Sequence, residues 1–488
     1  MIKYVSTRGG ISPVDFDEAV LQGFAQDGGL FVPDRIPVVS QEQMEQWAGL
    51  GYIDLAFELL SLYVDESIVP AADLKKILKQ SFYGFESPDI IPVVPLDKKA
   101  DTFIMELFHG PTLSFKDIAM GFLINIMDYF LQNKNEHLSI ILATTGDTGP
   151  AAAYAAAGKK TIDCWPLYPI GMISEEQARQ MTTLNASNVY PVGVENCAEG
   201  GDDLDFVIAK FFNDPELKQR LQLSSVNSIN WCRVMVQAVH YFYGYFQVVD
   251  KVGDKVTFSI PSGAFGNGFG GYLARSMGLP IGKFICANNQ NDAIHTAFSK
   301  GVFAKKDLIK TLSSAIDIVL PYNFWRFLYF SSGSDSVQLK SWMDEFFDKG
   351  KIEFDEKTFT TIQEGYLSIS ISDEKTSETI YRTFNNGSDY LLDPHSAVAV
   401  AAVEELRDKL PKSGKIICLA TAHPAKFPDV MKKVLRIKGD KLPEQAIHPS
   451  LVTAGKVCQH LRICDFENLE FALVEAMTSV SALKKLPK

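Results

Sequence analysis

Three stretches of the 488-residue chain repeat one pattern, an apolar run followed by a loop, and in two of them the loop is rich in glycine and opens a helix-forming segment. They begin at Ser139, Lys255 and Lys415. Apolar strands that alternate with helices over such spacings predict an α/β protein, because parallel neighbours in a sheet must be joined by a crossover that returns the chain to the same edge. At this length a single core is not enough, and two or more domains are expected.

In Ser139-Ile-Ile-Leu-Ala-Thr-Thr-Gly-Asp-Thr-Gly149, four apolar residues form the strand and Gly146 and Gly149 bend the loop. Pro150 then sits in a first helical turn, and alanines carry the helix toward Gly158. The loop faces a helix N-terminus, whose free N–H groups suit a carboxylate or phosphate, although a plain strand-to-helix turn reads the same way. Lys255 to Arg275 holds Gly266-x-Gly268-x-x-Gly271, which literally satisfies the dinucleotide pattern and has Asp292 further on. The match is weak, since the unit lies in mid-chain and several amides precede the acid. What survives either reading is that glycines let backbone N–H groups approach a phosphate at a helix start. Ser225 to Arg233 places amides, a hydroxyl and a guanidinium at the head of an aromatic-rich helix, Met235 to Val248, where Arg233 either meets an anion or pairs locally.

The remaining candidate is Lys116 in Glu106-Leu-Phe-His-Gly-Pro-Thr-Leu-Ser-Phe-Lys-Asp117. Most lysines are solvated surface charges. This one opens an expected helix, Asp117 to Leu131, just past a Gly-Pro turn, and a desolvated lysine amine can hold an aldehyde cofactor covalently. The first 98 residues read as helical, with Met44, Trp47, Leu59 and Leu62 as core; residues 341 to 390 read as mixed, with a strand at Tyr366 to Ile371 and a turn at Asn385-Asn-Gly387.

A net charge of −12 argues against a nucleic-acid partner, whose backbone needs a basic surface. Seven scattered cysteines without paired spacing suit reduced thiols, and dispersed histidines suggest no metal site. The start lacks a signal or transit pattern, and no apolar run approaches the roughly 20 residues that span a bilayer. A cytoplasmic protein with no membrane association is expected.

The run His109 to Asp117 resembles the pyridoxal-phosphate lysine motif of the threonine synthase family. Thr145-Gly-Asp-Thr-Gly149, Asn227-Ser-Ile-Asn230, Pro261-Ser-Gly-Ala-Phe-Gly266 and Thr421-Ala-His-Pro-Ala-Lys-Phe427 resemble the family's other motifs, in the family's order. Ser6-Thr-Arg-Gly and Gly23 to Phe31 resemble its N-terminal segment. The resemblance implies two doubly wound parallel-sheet domains of the fold-type-II pyridoxal-phosphate architecture, like tryptophan synthase β, behind a helical N-terminal segment. It places that segment at 1–98, a large cofactor-anchoring domain at 99–138 and 236–445, a small substrate-side domain at 139–235, and a tail at 446–488.

The same resemblance implies conversion of O-phospho-L-homoserine and water into L-threonine and phosphate with pyridoxal 5′-phosphate as cofactor, in a monomer or homodimer. Lys116 would hold the cofactor and act as general base. Gly263, Ala264, Phe265, Gly266 and Asn267 would cradle its phosphate, and Thr421 would face its ring nitrogen. Ser114 would bind substrate, and Thr144, Thr145, Gly146, Asp147 and Thr148 would receive the substrate carboxylate or lie beside the cofactor ring. Ser228, Asn230 and Arg233, with Lys426 as a further candidate, would meet its phosphate. Two residues depart from the family pattern, Ala264 for asparagine and Thr145 for serine. The first removes a side-chain donor, for which Asn267 can stand in. The motifs do not separate a synthase from a phospholyase releasing 2-oxobutyrate; a nicotinamide dehydrogenase and a noncatalytic cofactor-binding homologue are the more distant alternatives.

Overall fold

The computed structural model describes residues 1–96, 101–198, 200–385, 388–439 and 441–484, so most of the turn expected at Asn385-Asn-Gly387 lies outside the described residues. The chain forms two compact units, one of residues 1–122 and 228–447, the other of residues 123–227 and 448–488.

The first unit is built on a six-stranded sheet in the order Tyr366–Ser370, Ile281–Asn288, Val256–Pro261, Lys415–Ala420, Thr102–Glu106, Val93–Pro95. All neighbours are parallel except the last pair. One cross-strand row runs Phe103, Ile417, Phe258, Phe284, Tyr366, which sets the register. Strands this apolar are covered on both faces, as parallel sheets require. The alanine- and valine-rich helix Pro394–Glu405 packs on the central strands, and its small side chains let it lie close.

The N-terminal residues are helical as expected but also contain an antiparallel ribbon, Tyr4–Ser6 with Phe31–Pro33. Helix Gln41–Trp47 starts with a reciprocal Ser40/Gln43 cap. Met44, Trp47 and Leu59 are core, while Leu62 is half-buried.

The second unit carries a fully parallel sheet in the order Arg462–Asp465, Val192–Glu195, Ile162–Pro169, Leu138–Ala143, Leu223–Ser224. Of the tail expected at 446–488, the described residues from His448 onward belong to this unit. They supply its edge strand, and Leu469, Leu473 and Met477 of the last helix enter its core with Trp165, Val207 and Phe211. Among the described residues no helix is long and apolar enough to cross a membrane.

Candidate active site

Lys116 is positioned by a turn that folds back on its own helix. After the strand Thr102–Glu106, the chain turns at Gly110, where an added Cβ would lie 2.5 Å from the Asp117 side chain, so no larger residue fits. Asp117 accepts hydrogen bonds from the Thr112 N–H (2.8 Å) and hydroxyl (2.6 Å), and the buried Lys426 ammonium donates to the Thr112 carbonyl (2.7 Å). Lys426 therefore braces the lysine turn. Leu113 adopts a left-handed conformation (φ 61°), a strained state for a leucine that this bonding holds in place. Lys116 begins the helix Lys116–Lys134; it is half-buried, with its amine 4.5 Å from the centre of the Phe115 ring.

The same segment is stitched to the end of the strand Lys415–Ala420. Ser114 bridges Ala422, the Phe115 N–H donates to the Thr421 carbonyl (2.9 Å), and the His423 N–H donates to the Leu113 carbonyl (3.1 Å). Lys116 and Thr421, 305 positions apart, thus belong to one patch of backbone. The Ser114 hydroxyl is fully buried and has no hydrogen-bond partner among the described residues, as a hydroxyl awaiting a ligand would be. The Thr421 N–H donates to the Ser396 hydroxyl (3.2 Å), which itself donates to Asp393. Asp393 also caps the helix Pro394–Glu405 and accepts from His395 Nδ1 (2.7 Å), while His395 Nε2 accepts from the Ala315 N–H (2.9 Å).

The glycine loop follows the strand Val256–Pro261 and opens the helix Gly266–Ser276. Gly263 lies against Ile316, where a Cβ would come within 2.9 Å of main chain. Phe265 is left-handed (φ 60°) and its ring is anchored among Phe298, Phe324 and Phe327. Asn267 is held from behind. His240 Nε2 lies 2.8 Å from its Oδ1, and the Tyr241 hydroxyl lies 2.8 Å from its carbonyl and 3.1 Å from Oδ1. Burial pushes the His240 imidazole down to about 4, so it is neutral and its Nε2–H donates. Both donors turn Oδ1 away, which leaves the buried Asn267 Nδ2 and the neighbouring Gln237 Oε1 without protein partners among the described residues. A helix N-terminus, main chain that no Cβ crowds, and an orphaned amide donor fit an anionic group.

Of the other expected residues, Ser228, Asn230 and Arg233 lie in the first unit with Lys116 and the glycine loop. Asn230 caps the helix Trp231–Val248, accepting from the Cys232 N–H (3.1 Å) and donating to the Val20 carbonyl (2.8 Å). Arg233 is buried, which brings its guanidinium down to about 10. Thr144 to Thr148 lie in the second unit. Thr144 Oγ1 accepts from the N–H groups of Gly146 (3.2 Å) and Gly149 (3.0 Å), so it shapes the loop, and Asp147 accepts from Gln177 (2.9 Å). Thr145 and Thr148 are the more exposed of the five.

Of the dinucleotide pattern Gly266, Gly268 and Gly271, the structure shows a packing duty for the third glycine and engages Asp292 elsewhere. A Cβ on Gly271 would lie 2.7 Å from the Phe284 ring and 2.9 Å from that of Tyr241, and Asp292 pairs with Lys306. Sequence reasoning passed over Asp393, His395, Asn323 and Arg326. Asp393 had a signal, an aspartate directly before a proline at a helix start; the others become visible only through the contacts they make.

Fold and loop chemistry together define a pyridoxal-phosphate-dependent enzyme of fold type II. Residues 90–422 match the family model described as pyridoxal-phosphate-dependent enzyme, residues 3–82 that described as threonine synthase N terminus, and residues 396–463 that described as threonine synthase, C-terminal. The chain is 38% identical to threonine synthase of Saccharomyces cerevisiae over 98% of both chains, and 38% identical to threonine synthase-like 2 of Xenopus laevis over 88% of this chain and 90% of that one. It superposes on the pyridoxal-phosphate-bound threonine synthase of Brucella melitensis with a TM-score of 0.90 at 34% identity, covering 98% of this chain and 99% of the other. The chain belongs to the threonine synthase family, and its cofactor is pyridoxal phosphate.

Proposed function

We propose that the protein converts O-phospho-L-homoserine and water into L-threonine and phosphate. The carrying observation is that a chain matching threonine synthases almost end to end holds, in one unit, the joined Lys116 and Thr421 segments and the Gly263–Asn267 loop. In the net reaction the Cγ–O bond to phosphate and one Cβ–H bond break, water's hydroxyl bonds to Cβ, and of the two protons released one goes to Cγ and the other to phosphate.

Bound pyridoxal phosphate supplies the electron sink that makes protons at Cα and Cβ removable. Lys116 would hold it through its amine, and the same amine, when free, would carry protons at Cα. Thr421 would offer a hydroxyl to the ring nitrogen, a partner that does not force protonation as a carboxylate would. Gly263, Ala264, Phe265 and Gly266 present main chain to the cofactor phosphate, and Asn267 Nδ2 supplies the side-chain donor that Ala264 lacks. Ser114 meets the substrate's amino-acid end, and Arg233 with Ser228 and Asn230 receives its phosphate. A cytoplasmic monomer or homodimer completes this reading; size-exclusion chromatography with light scattering gives the oligomeric state.

The motifs serve a second outcome equally, a threonine-synthase-like phospholyase releasing 2-oxobutyrate and phosphate. Mixing the pyridoxal-phosphate-loaded protein with O-phospho-L-homoserine and following both products decides. Threonine is expected in step with phosphate; phosphate with 2-oxobutyrate assigns the lyase, and no phosphate at all refutes both.

A further inference from the structure

Arg326 is a guanidinium sealed inside the first unit, with no carboxylate paired to it among the described residues. It lies on the helix Tyr322–Ser331 and every acceptor it meets is neutral. Nε donates to the Phe31 carbonyl (3.1 Å), Nη1 to the Asn323 side chain (2.6 Å) and the Ser228 carbonyl (3.4 Å), and Nη2 to the Ile229 carbonyl. The Trp231 ring lies beside it, its centre 5.9 Å from Cζ. Burial alone brings this guanidinium down to about 9. A buried charge is costly unless an opposite charge compensates it, and neutral carbonyls satisfy its hydrogens without cancelling its charge.

The neighbours of Arg326 show where the missing charge belongs. Asn323, fixed by Arg326, donates from its main-chain N–H to the Ala264 carbonyl (3.3 Å), and its Nδ2 lies 3.1 Å from the Ser228 carbonyl and 3.4 Å from that of Ala264. Both Asn323 Nδ2 and Gln237 Oε1 stand around Gly266, within 3.4 and 3.5 Å of where a Cβ would be. Arg326 is thus one side chain removed from the loop whose Asn267 donor is orphaned.

We propose that Arg326 is the counter-charge of the cofactor phosphate, acting as a positioning residue through Asn323 and the Ser228–Ile229 carbonyls rather than by contact. The inference rests on the reading of Gly263–Asn267 as the phosphate loop. It also gives the N-terminal segment a function: through the Phe31 carbonyl, the guanidinium that balances the phosphate ties that segment to the cofactor loop.

The test compares binding of pyridoxal phosphate and of pyridoxal, which lacks the phosphate, to apoprotein of the wild type, Arg326→Gln and Arg326→Lys, followed by absorbance and fluorescence. In Arg326→Gln, affinity for pyridoxal phosphate falls about 10-fold or more, while that for pyridoxal changes less than about 3-fold; Arg326→Lys keeps most of the wild-type preference. Equal losses for both ligands, or an unchanged preference, overturn the proposal. A wild type with no preference for the phosphorylated form overturns instead the reading of the loop. Should Arg326→Gln not fold, the wild type and Arg326→Lys still decide. In protein labelled with nitrogen-15 arginine, the Nε–H signal absent from Arg326→Lys moves on adding pyridoxal phosphate and not on adding pyridoxal; a signal that stays put refutes the proposal.

Discussion

Asp117, next to the reactive lysine, shows how burial and hydrogen bonding compete on one carboxyl. Burial raises its pKa from 3.8 to about 6, more than the Thr112 bonds and the Lys426 charge pull it down. Between those values the folded protein keeps a proton that the unfolded chain has released. This group's contribution to stability is therefore full below 3.8 and is lost as the pH rises through about 6. Asp117→Asn removes the titration while retaining an acceptor for the Thr112 N–H. Its stability relative to wild type is expected to improve, by on the order of 2 kcal/mol, between about pH 4 and pH 7. Thermal melts across that range test this, and a constant offset contradicts it. The motif announced Lys116 and Asp117, but not this behaviour, which comes from the burial of the carboxyl in the folded chain and is only partly opposed by Lys426, 309 positions further along.

At the scale of the element, the helix Gly266–Ser276 shows why a motif can be matched without its function. Its glycines let the helix lie against Trp231–Val248 and the Ile281–Asn288 strand, with Gly270 close to Gln237 and Gly271 to Tyr241 and Phe284. Aromatic rings in a packed core yield little to an added methyl group. Gly271→Ala is therefore expected to cost about 1–3 kcal/mol in the apoprotein as well as the loaded protein, read as a lower Tm in both. A loss seen only in the loaded protein would point to a role in the cofactor site. The strand Ile162–Pro169 illustrates the opposite limit of sequence reading. Two prolines mark a break in a sequence, yet the strand lies inside its sheet, where Pro166 pairs with Leu142 and the whole strand is buried.

For the whole molecule, the C-terminal residues are structural. Ending the chain after Ile447 removes the edge strand beside Val192–Glu195 and uncovers the surface on which Leu469, Leu473 and Met477 pack. Burying such side chains contributes roughly 1.5–3 kcal/mol each, so the shortened protein is expected to show an early melting transition assigned to the second unit. Calorimetry of the loaded protein tests this: an unchanged profile would show that 448–488 is dispensable. The sequence offered no motif here, because a helix that completes a distant core looks like any other amphipathic stretch.

The sequence alone determined the α/β class, the family and the residues of each motif, because apolar periodicity, glycine-bent loops and a lysine beside a turn are local properties written in consecutive residues. Tertiary structure decided the rest. It joined the Lys116 segment to Thr421 through backbone bonds. It gave Asn230 a capping duty and aimed Asn267 through His240 and Tyr241. It also buried Arg326 among carbonyls with no acid beside it. Each of these depends on which distant segments fall within a hydrogen bond of one another, and on how much water remains there. Neither quantity has a local signature, so only the folded chain reveals them.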